Sequence, residues 1–224
     1  MIEIIFQNED FLACVKPVGV PSQCDGADDM VKLLTALVGA EVYPVHRLDT
    51  AVGGVMIFAR NKRSAAYLSK EIAEKRFQKR YLAVVEGVPE PKIGKMEDLL
   101  FKDSQKNKSF VVKRERRGVK KASLEYRTIA QCGGKSLVSI LLQTGRSHQI
   151  RVQFSSRKMP LCGDGKYGSR DNGCTIALWS EEISFSTNKK DYRFRSKPDI
   201  ASYPWNVFPE EAVDLCRELS RDNF

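Results

Sequence analysis

The sequence predicts an α+β protein built on a mixed, mainly antiparallel sheet. Seven short segments are apolar or alternate between apolar and polar residues, and only two segments have helical periodicity. Strands that follow one another with few helices between them favour this class over a doubly wound parallel sheet. The 224 residues with 42% hydrophobic content suffice for one core, so we expect a single domain over residues 1–224.

The predicted strands are short, and several are bounded by glycine or proline. Their sequences are IEIIF, FLACV, GVMIFA, YLAVVEG, SLEYRTIA, SLVSILLQT and IALWSEEISFS. The fifth and sixth, extended to SLEYRTIAQ and KSLVSILLQT, are joined at Cys132, Gly133 and Gly134, and glycines at this position indicate a hairpin turn.

Two segments are predicted to be helices. In DDMVKLLTALVG, Asp28 or Asp29 is the expected N-cap and Gly39 is the expected stop. In SAAYLSKEIAEKR, apolar residues at helical spacing form one stripe and the lysines point outward. The stripe contains Ala65, Leu68 and Ile72, and the outward lysines are Lys70 and Lys75.

The charge of the chain is positive and uneven. Lys and Arg number 37 against 28 Asp and Glu, which gives a formal net charge of +9. Residues 60–81 contain eight basic and two acidic residues, and residues 102–121 contain nine and two. Such clusters favour a polyanionic partner, although solvated helix faces or loops have the same composition.

The cysteines and the N-terminus predict neither a metal site nor a membrane segment. None of the six cysteines forms a C-x-x-C pair, and only His46 and His148 are available as further ligands. The start of the chain, MIEIIFQNEDFLACVKP, is acidic where a signal peptide is basic, and no apolar run has the length of a membrane span. We expect a soluble cytoplasmic protein with reduced thiols.

Three polar segments are candidates for chemistry. HRLD places Arg47 and Asp49 directly before an apolar strand, TGRSHQIR contains Arg146, His148 and Arg151, and KRY places Tyr81 at a strand start. Taken singly, each has an ordinary structural interpretation: a paired loop aspartate, solvated arginines after a turn, and a packed tyrosine.

Taken in order, these segments resemble the RluA family of RNA pseudouridine synthases. The resemblance covers most of the chain and depends on the segments EDFLACVKPVGVPSQ, HRLD, KRYLAVVEG, TGRSHQIRV, MPLCGDGKYG, IALWSEEISF and PWNVF. It implies the pseudouridine synthase catalytic fold, a mixed, mainly antiparallel sheet flanked by helices and loops, with an active-site cleft across the sheet. We expect no additional N-terminal module of the S4 type, so the basic segments would capture the RNA.

The resemblance also implies an activity. The protein is expected to isomerise specific uridines to pseudouridine in structured RNA, either ribosomal or transfer RNA, by base flipping and a catalytic aspartate. Nothing is oxidised and no group is donated, so no cofactor and no metal are expected. We also expect no membrane partner and no obligate protein partner.

Individual residues take roles from this resemblance. Asp49 matches the catalytic aspartate, as nucleophile or base, and Arg151 matches the arginine that forms an ion pair with it. Arg47 matches the arginine that enters the RNA helix where the uridine is flipped out. Tyr81 matches the active-site tyrosine that stacks on the base, and it is a candidate catalytic residue for the later proton abstraction. The expected RNA contacts are Arg47, His46, Arg146, Lys113, Arg116 and Arg117.

The chain departs from the family pattern at three places. Val52, Gly53 and Gly54 replace the usual Thr-Ser-Gly, Gln153 replaces a common histidine, and Trp179-Ser180 replaces the usual His-Ala. We interpret the last two as packing variation. The first leaves open an RNA-binding protein without catalysis. A metal-free ribonuclease that uses His46 and His148 as an acid–base pair is the other alternative.

Overall fold

The computed structural model describes residues 2–24, 28–187 and 190–213. These described residues form two compact units, the first from those within 2–80 and 179–198 and the second from 81–178 and 199–213. The expectation of one domain over residues 1–224 stays a prediction. Cys216 lies outside the described residues.

The regular elements are mostly strands. In chain order they are β1 (Glu3–Gln7), β2 (Phe11–Lys16), α1 (Met30–Val38), β3 (Tyr43–Pro44), β4 (Gly53–Ala59), α2 (Lys62–Ala73), β5 (Gln78–Glu86), β6 (Ile93–Asp103), β7 (Lys108–Val112), β8 (Val119–Cys132), β9 (Lys135–Leu142), α3 (Gln149–Ser155), β10 (Leu178–Thr187) and β11 (Lys190–Arg195). All seven predicted strands are present. Among the helices of the described residues, none has both the length and the apolar composition that a membrane span requires.

The first unit contains a mixed sheet. Strand β2 lies antiparallel between β1 and β4, β3 pairs antiparallel with β4, and β10 pairs antiparallel with β11. Strands β4 and β10 run parallel. The sheet is therefore mixed and mainly antiparallel, as predicted. Its core is a cluster of buried apolar and aromatic residues that includes Phe11, Ile57, Leu68, Phe77 and Phe185.

The second unit continues the strand-rich pattern. Its strands follow the order β5, β9, β8, β6, β7, and the pairs β8–β9, β6–β8 and β6–β7 are antiparallel. Strands β8 and β9 are joined at Gly133 and Gly134, both in the left-handed region (φ 56° and 75°), which confirms the predicted hairpin. Strands β6 and β7 were not predicted, because charged residues interrupt the alternation in IGKMEDLLFKD.

The helix predictions are confirmed with a shift at each end of α2, which ends at Ala73, three residues before the predicted Arg76, so Lys75 follows the helix and does not lie on it. Asp29 is the N-cap of α1, accepting from the Lys32 N–H, and Gly39 ends the helix with φ 67°. Helix α2 begins two residues earlier than predicted, because the Asn61 side chain caps it by accepting from the Ser64 N–H. Helix α3 has only seven residues, too few for a periodic pattern to be recognised.

Candidate active site

In the first unit, Asp49 lies in a tight turn immediately before β4. Its carbonyl accepts a hydrogen bond from the Val52 N–H at 2.9 Å, and β4 begins at Gly53 and is buried at every residue. The Asp49 side chain is half-buried. A carboxylate on a short turn anchored to a buried strand has little freedom to move, which is the requirement for a positioned reactive group.

Ser22 fixes the residue that precedes Asp49. The Leu48 N–H donates to Ser22 Oγ at 2.9 Å, and the same hydroxyl donates to the Leu48 carbonyl at 2.8 Å. Both groups of the Leu48 backbone are therefore held by one buried side chain 26 residues away. The sequence analysis did not identify Ser22, because a single serine carries no signal of such a contact.

Lys16, a buried residue, binds backbone carbonyls of the same loop. Its side chain is fully buried, and Nζ donates to the carbonyls of Pro17 (2.8 Å), Val20 (2.6 Å) and Thr50 (3.1 Å). Burial lowers the pKa of Lys16 to about 8, while the negative charge of Asp49 acts in the opposite direction. Lys16 therefore joins the segment after β2 to the turn that contains Asp49. A single lysine in VKPVG carries no signal of this role in the sequence.

His46 has a structural role in the first unit. Its Nε2 accepts the Ile57 N–H of β4 at 3.1 Å, and its ring lies 5.6 Å from the ring of Phe77. Burial, with a smaller contribution from the charge of Lys79, lowers the pKa of His46 to about 3, so the ring is neutral at pH 7. The lone pair of Nε2 is occupied by this hydrogen bond, so His46 does not serve as the base that the ribonuclease hypothesis requires. The RNA contact of His46 stays a prediction. Because the ring is neutral, such a contact would not be an ion pair with a phosphate.

Arg47 and Tyr81 differ sharply in exposure. Arg47 is exposed beside the buried Leu48, so its guanidinium is accessible to a partner. Tyr81, in β5 of the second unit, leaves only 6% of its surface accessible. The roles that the sequence analysis gives to these two side chains stay predictions.

In the second unit, Arg151 is held by a carboxylate that the sequence analysis missed. Its Nε and one terminal nitrogen donate to the two oxygens of Asp164 at 2.7 and 2.8 Å, and both side chains are buried. The guanidinium carbon also lies 5.0 Å from the centre of the Tyr167 ring. A two-point hydrogen bond and an aromatic neighbour fix the orientation of this arginine. The predicted ion pair with Asp49 stays a prediction.

Tyr167 connects Arg151 to the start of α3. Its hydroxyl accepts the Ser109 N–H at 2.8 Å and lies 2.9 Å from His148 Nδ1, a hydrogen bond that holds the imidazole in either ring tautomer. Its carbonyl accepts from Ser155 Oγ at 2.6 Å. His148 precedes α3 with φ 52°, an uncommon conformation for a residue with a side chain. Several contacts therefore fix α3, and with it Arg151.

The basic segment of residues 113–121 begins in the exposed connection between β7 and β8. The Arg116 guanidinium carbon lies 4.8 Å from the centre of the Phe101 ring, and Arg146 Nε donates to the Lys121 carbonyl at 2.9 Å. Arg146 therefore lies beside this segment, on the same surface of the second unit. Lys113, Arg116 and Arg117 are exposed there, and their contacts with RNA stay predictions.

The cysteines and acidic residues do not gather into a metal site in the ranges that the structure describes. Five cysteines within these ranges are free thiols: Cys14, Cys24, Cys132, Cys162 and Cys174. Burial raises the pKa of Cys14 and of Cys162 to about 12, so both are protonated at neutral pH. Independence from cofactors stays a prediction.

Comparison with solved structures defines the fold class. The human RNA pseudouridylate synthase domain containing 1 superposes with a TM-score of 0.79 at 20% identity, covering 100% of this chain and 96% of that one. The human domain containing 4 gives 0.74 at 22% identity, covering 88% and 89%. The fold is the α+β fold of pseudouridine synthases.

Sequence comparison gives the family. The model of the RNA pseudouridylate synthase family matches residues 10–156. The ribosomal large subunit pseudouridine synthase D of Borreliella burgdorferi is 30% identical over 86% of this chain, which spans 63% of that relative's length. An uncharacterised RNA pseudouridine synthase of Zymomonas mobilis is 30% identical over 95% of this chain and 96% of its own. The chain belongs to the RNA pseudouridylate synthase family, and the resemblance found in the sequence is confirmed.

Proposed function

We propose that this protein converts uridine to pseudouridine in RNA and that Asp49 is its catalytic group. The observation that carries the proposal is the fixed position of Asp49. A hydrogen-bonded turn, the Ser22 hydroxyl and the Lys16 ammonium all hold the segment that contains this carboxylate. Membership in the RNA pseudouridylate synthase family supports the reaction, and a constrained acidic group suits it.

The reaction requires a carboxylate and no redox group. The C–N glycosidic bond breaks, the uracil rotates, and a C–C bond to the ribose forms, so the atoms of the substrate are conserved. An ionised Asp49 serves either as a nucleophile or as a base in this sequence. The base has to leave its stack, which costs a few kcal/mol, and Arg47 and Tyr81 are proposed to replace the lost stacking contacts.

The other assigned residues belong to the same proposal. Arg151 is proposed to orient and stabilise the Asp49 carboxylate, and the bidentate contact with Asp164 supports a fixed direction for its guanidinium. Arg146 and the exposed residues Lys113, Arg116 and Arg117 are proposed to contact RNA phosphates.

We infer that the substrate is a structured RNA. The names of the Borreliella relative and of the ribosomal large subunit pseudouridine synthase C of Buchnera aphidicola, 38% identical over 59% of this chain, favour large-subunit ribosomal RNA. Transfer RNA is the second substrate class that the sequence predicts. A cytoplasmic location is part of the same proposal and is supported by the free thiols of the described cysteines.

The two alternatives differ from this proposal in what they do to RNA. A binding protein without catalysis leaves every uridine unchanged, and a ribonuclease breaks the strand. The neutral, backbone-bound His46 argues against the ribonuclease. The glycines at positions 53 and 54 leave the Asp49 turn intact, so they do not by themselves favour loss of catalysis.

The test combines mapping in cells with a single substitution. Pseudouridines are mapped in RNA from cells with and without the gene, and the purified protein is then assayed on the RNA that differs. Asp49→Asn is expected to lower conversion by at least roughly a thousandfold while RNA affinity stays near that of the wild type. Asp191→Asn, a change of an exposed carboxylate in β11 of the same unit, is the matched control. Conversion by Asp49→Asn at the wild-type rate would refute the assignment.

A further inference from the structure

Two lysines of the second unit each donate a hydrogen bond to a backbone carbonyl of the segment that contains the other. Lys108, at the start of β7, donates from Nζ to the carbonyl of Lys166 at 2.6 Å, and Lys166 donates from Nζ to the carbonyl of Asn107 at 2.9 Å. The two residues are 58 positions apart in sequence. We call Lys108 and Lys166, with these two hydrogen bonds, the lysine pair.

The lysine pair holds two positive charges without a carboxylate. In the described parts of the chain, no Asp or Glu oxygen lies within 4.0 Å of either ammonium. Other lysines of this unit are neutralised, such as Lys95 by Glu97 at 2.9 Å and Lys121 by Glu115 at 3.3 Å. An ammonium has three N–H donors and a carbonyl takes one, so both lysines keep donors and charge for an anion.

The position of the pair relates it to the proposed active site. Lys108 Nζ lies 5.1 Å from the centre of the Tyr167 ring, and the Arg151 guanidinium carbon lies 5.0 Å from the same centre. One aromatic ring therefore contacts both the lysine pair and the Arg151–Asp164 ion pair. The two distances place Lys108 Nζ within about 10 Å of the Arg151 guanidinium carbon, so an anion bound by the lysines lies in the neighbourhood of Arg151.

We propose that the lysine pair binds the RNA backbone phosphate of a nucleotide next to the target uridine. This inference rests on the proposed function, since it requires RNA as the ligand. The two hydrogen bonds already fix both side chains before RNA binds. A flexible lysine loses conformational entropy when a phosphate orders it, so a fixed lysine binds the phosphate at a smaller entropic cost. Lys166 is exposed and Lys108 is half-buried, so the charge faces solvent where a strand is accessible.

The competing explanation is that the pair only fastens the β6–β7 turn to the Gly165–Tyr167 turn. The two explanations differ in the salt dependence of RNA binding. Each phosphate contact releases condensed cations, so the slope of log affinity against log salt counts the contacts. A purely structural pair affects the thermal stability and leaves this slope unchanged.

The experiment measures the binding of a fluorescein-labelled RNA stem-loop with a uridine-rich loop across a potassium chloride series. Lys108→Gln with Lys166→Gln is expected to reduce the slope by roughly 0.7 to 0.9 units, the effect of one lost phosphate contact, whereas the control Lys95→Gln leaves it unchanged. Because Lys108 is half-buried, Lys166→Gln alone is measured as well, and a reduction in the same direction, no larger than that of the double variant, is expected. A wild-type slope in the folded variants overturns the inference.

A second measurement locates the phosphate. Single phosphates beside the uridines of the stem-loop are replaced by neutral methylphosphonates. At the contacted position the wild type is expected to lose affinity and the double variant to lose none, so equal losses at every position contradict the proposal. Failure of the proposed function is recognised separately. It appears as absence of uridine conversion by the wild type, whatever the salt slopes of the lysine variants.

Discussion

The carboxylate of Asp164 accepts two hydrogen bonds from the guanidinium of Arg151, at 2.7 and 2.8 Å, and both side chains are buried. Arg151 is the residue that the family resemblance links to the catalytic aspartate, and Asp164 lies 13 positions later. Two hydrogen bonds to one carboxylate leave the guanidinium a single orientation. We infer that Asp164 is a positioning residue for Arg151.

Asp164→Asn tests this role. The amide keeps the shape of the side chain but removes the Asp164 charge and one of the two acceptors from the buried guanidinium, so the free energy of unfolding is expected to fall by about 3 kcal/mol. Uridine conversion is expected to fall more than RNA affinity, because Arg151 loses its direction. Urea denaturation and a conversion assay measure the two effects. Glu97→Gln, which breaks the exposed Lys95–Glu97 pair, is the control, and a variant that behaves like this control would contradict the role.

The neutral state of His46 predicts an acid sensitivity. In the unfolded chain this imidazole takes a proton near its ordinary pKa of 6.5, whereas the folded protein delays protonation until about pH 3. The unfolded state therefore binds more protons below pH 6.5, and the free energy of unfolding falls as the pH drops from that value. Above pH 6.5 the contribution is constant.

His46→Gln isolates this effect. Between pH 6.5 and the range where carboxylates titrate, the stability difference between the wild type and the variant is expected to change by about 1.4 kcal/mol per pH unit. Urea denaturation at a series of pH values measures it, with His148→Gln as the matched change at the other histidine. A pH-independent difference would show that the His46 ring is not kept neutral by the fold.

Gly53 and Trp179 are expected to be energetically coupled. They pair across β4 and β10, and a Cβ atom added at Gly53 would overlap the six-membered ring of Trp179. Gly53→Ala is expected to cost about 1–3 kcal/mol in stability, and Trp179→Phe in the same chain is expected to recover part of the loss. Gly165→Ala, where no atom lies within 4 Å of the added Cβ, is the control.

A double-mutant cycle by chemical denaturation gives the coupling energy. The cycle also corrects for the hydrogen bond from Trp179 Nε1 to Ser196 Oγ at 3.0 Å, which phenylalanine removes. Strict additivity of the two changes would contradict the coupling. Coupling would mean that the glycine at position 53 makes room for the tryptophan at position 179. These two departures from the family pattern would then belong together at a single contact.

The exposed arginines after β7 provide a further test of the RNA surface. Arg116→Ala and Arg117→Ala are each expected to weaken binding of related and unrelated RNA about equally and to reduce the salt slope by roughly one unit. Filter binding across a salt series measures this. The control is Arg157→Ala, whose arginine is paired with Asp98 at 2.9 Å. Unchanged slopes would indicate that RNA does not contact these arginines and binds instead at helix α2, which carries Lys70 and is followed by Lys75 and Arg76.

Much of the local structure was predictable because its causes lie close together in the sequence. The N-cap of α1 by Asp29, the stop at Gly39 and the hairpin at Gly133 and Gly134 each depend on contacts within a few residues. Strand β4 was predictable because its seven residues are apolar or glycine and are buried. Strand β6 was missed because its alternating burial is masked by charged residues at partly buried positions.

The sequence by itself determined the strand-rich α+β class, the order of the motifs and the candidacy of Asp49 and Arg151. Only the tertiary structure decided which side chains hold them, since these contacts join residues that are distant along the chain. Lys16 reaches Thr50 across 34 positions, and Lys108 reaches Lys166 across 58. A hydrogen bond of this kind requires strands and turns to pack so that donor and acceptor lie within a few tenths of an ångström of the ideal distance. Neither residue type nor hydrophobic periodicity predicts this distance.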